Sequence, residues 1–303
     1  MSKKKDLSRP ESKKKVTNKL TAYKPGSFKY VWYKIYHSPS AMIGLCFIVV
    51  LFILSFISPY ICKYDYQAIS MKLKCATPSW EHPFGCDEIG RDILSRVLYG
   101  AKYTMSIGIL CTAFSCIIGC ILGALAGYFG RWVDNIIMRI MDVLQAFPAI
   151  LLAIVISSVL GSGYFQMVVA LGISAIPGYA RMMRASILNI RESEYIEAEK
   201  SMNCPTSKII LKHIIPNAMS PIIVQAAMGI ASAGLAASAL SFLGFGLPVT
   251  TPEWGAMLSS ARDYMREYPH LAIFPGLFIM LTVVSYNLIG DTVRDALDPK
   301  LKD

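Results

Sequence analysis

Charged residues are scarce in this chain of 303 residues: Asp, Glu, Lys and Arg make up 17% of it, whereas 54% is hydrophobic. An ordinary soluble domain carries about 25% charged residues. The few charges are also missing from several long stretches, so the composition excludes a soluble globular protein. The 21 Gly and 16 Pro are close to average usage, which excludes a collagen-like or low-complexity chain. We therefore predict an all-α integral membrane protein.

The motifs of several enzyme classes are absent. The sequence has no G-x-x-x-x-G-K-[ST] and no Gly-Lys dipeptide, so this chain does not bind ATP phosphates by a P-loop. Its four histidines lie in separate polar loops without HExxH, and its eight cysteines form no CxxC pair. We expect no catalytic residue, metal site or cofactor in this chain. Only Cys75 and Cys86 share a polar loop, so only they could form a disulfide.

Charge-free runs long enough to cross a bilayer predict six transmembrane helices. One run of 38 residues is too long for a single helix, and Gly161-Ser162-Gly163 supplies a turn in its middle. None of the spans contains Asp, Glu, Lys or Arg, which argues against a proton-coupled carrier. The predicted spans are 38–62, 103–129, two within 143–180, 217–240 and 271–290.

The distribution of basic residues predicts the orientation of these spans. Lys and Arg number 22 on the side that holds both termini and 8 on the opposite side. Cytoplasmic loops of membrane proteins carry the excess of basic residues, so we expect both termini to be cytoplasmic. The net charge of +10 then reports topology, and we expect no nucleic-acid partner. Residues 1–37 form a basic cytoplasmic arm that lacks aliphatic periodicity and is expected to be disordered.

The predicted cytoplasmic loop 181–213 carries signals for a short helix. Ser193 can cap it, and its first turn holds Glu194 and Glu197 at the positive end of the helix dipole. Asn203 can adopt the left-handed conformation that ends a helix. A compact helical unit is therefore predicted in an otherwise polar loop.

A second short helix is predicted to start at Thr206 and to stop at Pro216. Two short helices joined by a sharp turn would make a knob that docks a partner protein. A solvated amphipathic loop is the alternative, and the pattern alone does not separate the two. The residues predicted to share one face of the first helix are Tyr195, Ala198, Glu199 and Met202.

The segment before the second span contains a cluster of charges that allows two interpretations. In the first interpretation the segment forms an amphipathic helix on the outer membrane surface, with Asp92 and Arg96 spaced for a helical ion pair. In the second interpretation it receives a partner protein. The residues of the possible docking site are Asp87, Glu88, Arg91 and Asp92.

Five segments of the sequence resemble, in the same order, the second permease subunit of ABC importers for dipeptides, oligopeptides and nickel. The resemblance covers about residues 38–301. Three positions depart from the family pattern: Glu199 replaces Ala and adds charge to the docking face, Asn203 replaces Gly, and Cys86 replaces Thr. The segments are HPFGCDEIGRDILSRVLYGA, FPAILLAI, EYIEAEKSMNCPTSKIILKHIIPNA, LSFLGFGLPVTTPEWGAML and GDTVRDALDPKL.

The resemblance implies a type I ABC importer permease core of five helices, preceded by one extra span. The implied divisions are the arm at 1–37, the first span and extracellular segment at 38–99, the permease domain at 100–291 and a cytoplasmic tail at 292–303. It also implies a loop that couples the permease to an ATPase, with the residues Glu194, Tyr195, Glu197, Ala198, Glu199, Met202, Asn203, Lys208 and Pro216.

The family further implies a complex in the cell membrane, surrounded by lipid. Its other members would be a homologous second permease, two ATPase subunits that bind ATP and Mg, and an extracellular substrate-binding protein. Peptide is the favoured cargo, because no His or Met constellation suited to nickel stands outside the apolar runs. Nickel or another small solute is the alternative cargo, and a stand-alone carrier, a channel or a membrane enzyme are the alternative classes.

Overall fold

The computed structural model describes residues 28–297, and its regular structure is helical throughout this range. Short 3₁₀ and π-helical turns occur at Met71–Leu73 and Ile209–Ile214. The α-helices are α1 Phe28–His37, α2 Pro39–Ile61, α3 Ile93–Phe129, α4 Arg131–Gln145, α5 Ala149–Leu160, α6 Tyr164–Arg191, α7 Glu194–Ser201, α8 Thr206–Lys208, α9 Ile215–Phe242, α10 Trp254–Ala261 and α11 His270–Leu297.

Among the described residues, four helices are long and apolar enough to cross a membrane: α2, α3, the stretch Ile209–Phe242 that includes α9, and α11. They contain the predicted spans 38–62, 103–129, 217–240 and 271–290 almost whole. The beginning of α2 follows from its sequence, since Pro39 takes the first helical position and the Ser38 hydroxyl accepts a hydrogen bond from Ala41 N. The prediction was sound for these four spans.

No single straight helix corresponds to the third predicted span. Helices α4 and α5 meet at an angle of 90°, and the pair is either one broken span or a re-entrant loop. The break falls at Phe147-Pro148, because proline disfavours helical geometry in the residue before it. The predicted turn follows α5, where Gly161 has φ 82°. Helix α6 is 28 residues long but holds Arg181, Arg184 and Arg191, and it does not reach the apolarity of the other four.

Helix α6 packs along α3 through a row of glycines spaced four residues apart. A Cβ atom on Gly119 would lie 2.5 Å from Tyr179 Cβ, and one on Gly123 would overlap the carbonyl oxygen of Ala180. Small residues at this spacing let two helix backbones approach closely inside a membrane. Because no side chain larger than hydrogen fits, these glycines hold α6 and the residues it carries against α3.

The loops at one end of the bundle form a compact cap, which we define as residues 62–92 and 243–269. Trp254, in the second of these segments, is fully buried, and its indole N–H donates to the carbonyl oxygen of Val97 at 2.9 Å. Glu253 is also fully buried and caps α10 by accepting from Gly255 N and Ala256 N, both at 2.9 Å. The nonhelical chain predicted after the fifth span is therefore part of this folded cap.

The predicted disordered arm is wrong for residues 28–37, which form α1. Lys34 Nζ donates to the carbonyl oxygen of Asp295 at 2.5 Å, and Ile35 packs with Ala41 and Val293. Helix α11 extends to Leu297, past the predicted end at 290, and so provides the surface that orders α1. The contact with α11 thus orders a segment whose own sequence lacks aliphatic periodicity. Residues 1–27 and 298–303, which hold the rest of the arm and of the tail, lie outside the described residues.

Candidate functional site

The loop between α6 and α9 folds as a knob, which we define as residues 193–216. Its first helix, α7, begins at Glu194 as predicted and carries Glu194 and Glu197 in its first turn. Ser193 does not cap it with its side chain, because the Ser193 hydroxyl donates to the carbonyl oxygen of Ile190 at 2.5 Å. The backbone carbonyl of Ser193 instead accepts from Ile196 N and Glu197 N.

One face of the knob is exposed and apolar. Tyr195 is 45% exposed, Met202 is 71% exposed, and the small Ala198 lies between them on the surface. Leu211, which the sequence analysis did not select, is also exposed. Apolar side chains grouped on a surface are typical of a protein-binding site. The other predicted knob residues on the surface are Glu194, Glu197, Asn203, Lys208 and Pro216.

Glu199 does not add charge to that face, and the prediction that it does was wrong. Its side chain turns inward, is 16% exposed, and places Oε1 at 3.1 Å from Nδ1 of His213. The reason is geometric: the turn at residues 202–205 folds the second half of the knob back against α7, which brings His213 next to Glu199. This contact joins the two halves of the knob.

The sharp turn between the two halves agrees with the prediction. Asn203 has φ 59°, and Cys204 N donates to the carbonyl oxygen of Glu199 at 3.1 Å, which closes the end of α7. Pro205 precedes the next helical turn and leads into it. An asparagine therefore serves where the family pattern has glycine, because Asn tolerates left-handed geometry.

The second helix does not stop at Pro216, contrary to prediction. After α8 the chain passes through the π-helical turn into α9, which begins at Ile215. Ile215 N donates to the carbonyl oxygen of Ile210, five residues back, so the π-helical bonding ends one residue before the proline. Pro216 then occupies the first turn of α9, where a missing N–H costs no hydrogen bond. The knob is thus continuous with a membrane span.

The buried side of the knob attaches it to the bundle. Ile196, Ile209 and Ile214 are fully buried and belong to one apolar cluster. The remaining buried members of that cluster come from α6 and α9, namely Tyr179, Met183, Ile187, Ala218 and Ile222. Ile196 is not among the knob residues predicted from the sequence. The available signal was that it is an isolated apolar residue on the side of α7 opposite the exposed face. The knob is therefore packed directly against α6 and α9.

A cavity of 1120 Å³ lies among α3, α5, α6, α9 and the end of α11. Its wall is mostly apolar, and its polar side chains are four serines together with Thr112 of α3, Tyr179 of α6 and Gln225 of α9. Arg294 of α11 contributes a positive charge to the lining. Tyr179 belongs both to this wall and to the apolar cluster of the knob. The cavity and the knob are thus connected through one residue.

The four residues of the possible docking site lie in the cap, but three of them are buried: Asp87, Arg91 and Asp92. Arg91 Nε donates to Asp87 Oδ2 at 2.6 Å, and Arg91 Nη2 donates to Glu88 Oε1 at 3.1 Å. Asp87, Arg91 and Asp92 stabilise the cap from within, and only Glu88 of the four is partly exposed, so the burial of the other three argues against the docking interpretation.

The alternative interpretation of this segment, an amphipathic surface helix, is also wrong. Residues 87–92 form a turn with Gly90 at φ 79°, and helix begins only at Ile93. Asp92 caps that helix through Ser95 N at 2.8 Å and contacts His82 Nδ1 at 2.9 Å. Arg96 therefore pairs with Asp87 Oδ2, at 3.5 Å, instead of with Asp92.

Cys75 and Cys86 are free thiols, and both are buried in the cap. Burial, reinforced by the charges of Asp92 and Asp87, raises the pKa of Cys86 to about 11. The two segments that carry them pair through the backbone, since Cys75 N donates to the carbonyl oxygen of Asp87 and Cys86 N to that of Ala76. The possible disulfide is not formed, and the two cysteines act as small apolar side chains of the cap.

Apolar helices long enough to cross a membrane, a mostly uncharged cavity among them and a helical knob packed against two of the helices that line it are typical of a membrane permease. Residues 119–303 match the family model of the binding-protein-dependent transport system inner membrane component. Residues 27–75 match the N-terminal TM domain of oligopeptide transport permease C. The chain belongs to this family of ABC importer permeases, as the resemblance of its motifs implied.

Curated relatives cover nearly the whole chain. It is 42% identical over 262 residues to the dipeptide transport system permease protein DppC of Alkalihalophilus pseudofirmus, with 86% of each chain covered. It is 43% identical over 272 residues to the glutathione transport system permease protein GsiD of Pectobacterium atrosepticum, covering 89% of this chain and 90% of the relative. The di/tripeptide permease DppC of Pseudomonas aeruginosa is 38% identical over 285 residues, with 92% and 94% covered.

Solved structures of ABC transporters share the fold. An inward-facing conformation of the MetNI methionine ABC transporter matches with a TM-score of 0.56 at 19% identity, over 68% of this chain and 98% of that chain. An amino acid ABC transporter crystallised with histidines matches with a TM-score of 0.52 at 14% identity, over 66% and 94%. These similarities confirm the predicted type I importer permease fold.

Proposed function

We propose that this chain is the permease subunit of an ATP-driven importer that takes up peptides from an extracellular substrate-binding protein. The relatives named above are permeases for dipeptides, di- and tripeptides and glutathione, all of which contain peptide bonds. Their names favour peptide over nickel as the cargo. The observation that carries a transport mechanism is the apolar cluster that runs from Ile196 in the knob to Tyr179 in the cavity wall.

In this proposal the exposed face of the knob docks an ATPase subunit. Tyr195 and Met202 would supply apolar contact area, and Ala198 between them would allow close approach. ATP and Mg would be bound by two ATPase subunits, one of which contacts this knob. Movement of the ATPase would displace the knob, and the buried isoleucines would transmit that displacement to α6 and α9. Rigid-body motion of these helices would open the cavity alternately to each side.

The second half of the pathway is assigned to a homologous permease, so that the two chains form a heterodimer. The excess of Lys and Arg on one side supports a cytoplasmic position of the knob and both termini. Cys204, a half-buried free thiol in the knob, gives a test of this orientation. A membrane-impermeant maleimide should label it in inside-out vesicles and not in intact cells. Labelling from outside would overturn the orientation.

The function is tested by peptide uptake into proteoliposomes that contain this chain, its partner permease and both ATPase subunits. Uptake should require ATP on the side of the membrane that holds the ATPase subunits. It should also require peptide-loaded binding protein on the opposite side. Omission of either permease should abolish it. Uptake without ATPase subunits would favour a stand-alone carrier, and uptake of nickel but not of peptide would assign the complex to the other cargo class.

A further inference from the structure

We propose that Thr112, Tyr179 and Gln225 form a hydrogen-bonding site in the cavity that contacts the backbone amides of a passing peptide. This inference rests on the proposed import function and specifies which groups of the cargo this chain recognises. The three side chains come from α3, α6 and α9, so the packing of those helices creates the site. Neither the family match nor the names of the relatives assign it.

Two polar atoms in the cavity wall lack a hydrogen-bond partner among the described residues. Thr112 is 5% exposed, and its Oγ1 has no hydrogen-bond partner of acceptable geometry, although the Tyr179 hydroxyl is its neighbour. Gln225 Oε1 is likewise buried without a partner. Buried polar atoms without partners are rare in folded proteins, because each has lost its contact with water. Two such atoms in the wall of one cavity indicate a ligand that pairs with them.

Two glycines let α6 and α9 pack directly against these polar side chains. Gly229 of α9 faces the Tyr179 hydroxyl, which a Cβ atom at this position would overlap, and the same Cβ would lie 3.6 Å from Thr112 Oγ1. Gly178 of α6 stands opposite Gln225, and a Cβ atom there would lie 3.2 Å from Nε2. A side chain at either position would displace the Tyr179 hydroxyl or the Gln225 amide from its place in the cavity wall.

The chemistry of the wall identifies the kind of contact. Thr112, Tyr179 and Gln225 are neutral side chains that can both donate and accept hydrogen bonds. Peptide amides also present one donor and one acceptor each, whatever the side chains of the peptide are. A site of this kind would accept peptides of different sequence. Arg294, at the end of α11, offers a charge for the terminal carboxylate of such a peptide.

A helix of the partner permease is the other conceivable occupant of the cavity. The backbone groups of a helix are already paired within it, so mostly apolar helix side chains would leave Thr112 Oγ1 and Gln225 Oε1 unpaired. An extended peptide brings free amide groups and pairs with both. The unsatisfied atoms therefore favour cargo over a partner helix.

Photochemical labelling tests the occupant in the native complex. A peptide with a diazirine side chain is loaded on the binding protein, offered to the assembled transporter with ATP and irradiated during turnover. Adducts are expected on the segments of α3, α6 and α9 that contain the three residues. If the transporter imports this peptide while adducts are absent from those segments, the proposed site is wrong. If it imports no peptide at all, the proposed function fails instead.

Variants test whether the contact is to the backbone. Binding protein is pre-loaded with either a peptide or its N-methylated analogue, and initial uptake rates are compared. The wild type should import the unmethylated peptide severalfold faster, whereas Gln225→Leu and Thr112→Val should slow it about fivefold or more and remove the preference. Ser186→Ala is the matched control, because that hydroxyl lies on α6 outside the cavity and bonds only to Met182 O at 3.0 Å. An unchanged preference in both cavity variants would overturn the proposal.

Discussion

Glu199 Oε1 lies 3.1 Å from His213 Nδ1 and joins the two halves of the knob across its sharp turn. The His213 and Glu199 side chains are 29% and 16% exposed, which shields them partly from solvent. The pair is therefore a specific stabilising element of this knob.

The first prediction concerns that pair. We expect Glu199→Ala and His213→Ala each to lower the stability of the knob, with a coupling energy of about 0.5–1 kcal/mol in a double-mutant cycle. Thermal unfolding of the purified complex measures it. Glu194→Ala is the control, because Glu194 is exposed on the same helix. If the two single effects simply add, the contact contributes nothing.

The second prediction concerns docking at Ala198. In Ala198→Asp an ATPase groove would bury an unpaired carboxylate, at a cost of about 1–3 kcal/mol. At about 1.4 kcal/mol per tenfold, assembly or coupling should weaken at least severalfold. We expect normal abundance in the membrane, little uptake and no stimulation of ATPase activity by loaded binding protein. Ala198→Ser, which keeps the residue small, should retain most activity.

Wild-type uptake by Ala198→Asp would show that the exposed face of the knob is a solvated surface. The knob would then be a connector between α6 and α9, and docking would have to be sought elsewhere. The same measurement on Met202→Ala separates a general apolar contact from a steric requirement at Ala198, since Met202 is a large apolar side chain that is 71% exposed on this face.

The third prediction concerns transmission through Ile196, which is fully buried between the knob and the bundle. Ile196→Ala would leave a cavity and cost about 2–5 kcal/mol. Because α7 is only 8 residues long, we expect the loss to loosen this helix locally and to uncouple transport from ATP hydrolysis. Hydrogen exchange of residues 194–201 should increase. Ile136→Ala, at an exposed position of α4, should leave both exchange and uptake unchanged.

The fourth prediction concerns the thiols of the cap. A pKa of about 11 for Cys86, against 9.0 for an ordinary thiol, lowers its thiolate fraction at neutral pH roughly 100-fold. Burial adds a steric barrier. Maleimide should therefore spare Cys86 in the folded complex and modify it after denaturation, with a rate in the folded state that rises with pH. Rapid labelling at neutral pH, or a disulfide to Cys75 in the purified protein, would contradict the structure.

Local signals made the spans and the turns predictable. The first span, the turn at Gly161 and the left-handed turn at Asn203 each depend on residues adjacent in sequence: an apolar run, a glycine and an asparagine before proline. The exposed positions Tyr195, Ala198 and Met202 followed from helical periodicity for the same reason. Pro148 is itself a local signal for the break before α5. It lies within a long run without charges, and that run was interpreted as containing only the turn at Gly161.

What the sequence by itself determined is the class of protein, the main spans and the position of the knob, because apolar runs, basic loops and motif spacing act along the chain. The tertiary structure decided which polar residues face inward. Glu199 turns toward His213, and Arg91 lies beside the carbonyl oxygen of Val249, 158 positions away. The cavity residues Thr112, Tyr179 and Gln225 come from three separate helices. Such neighbours are set by helix packing, which no local pattern encodes.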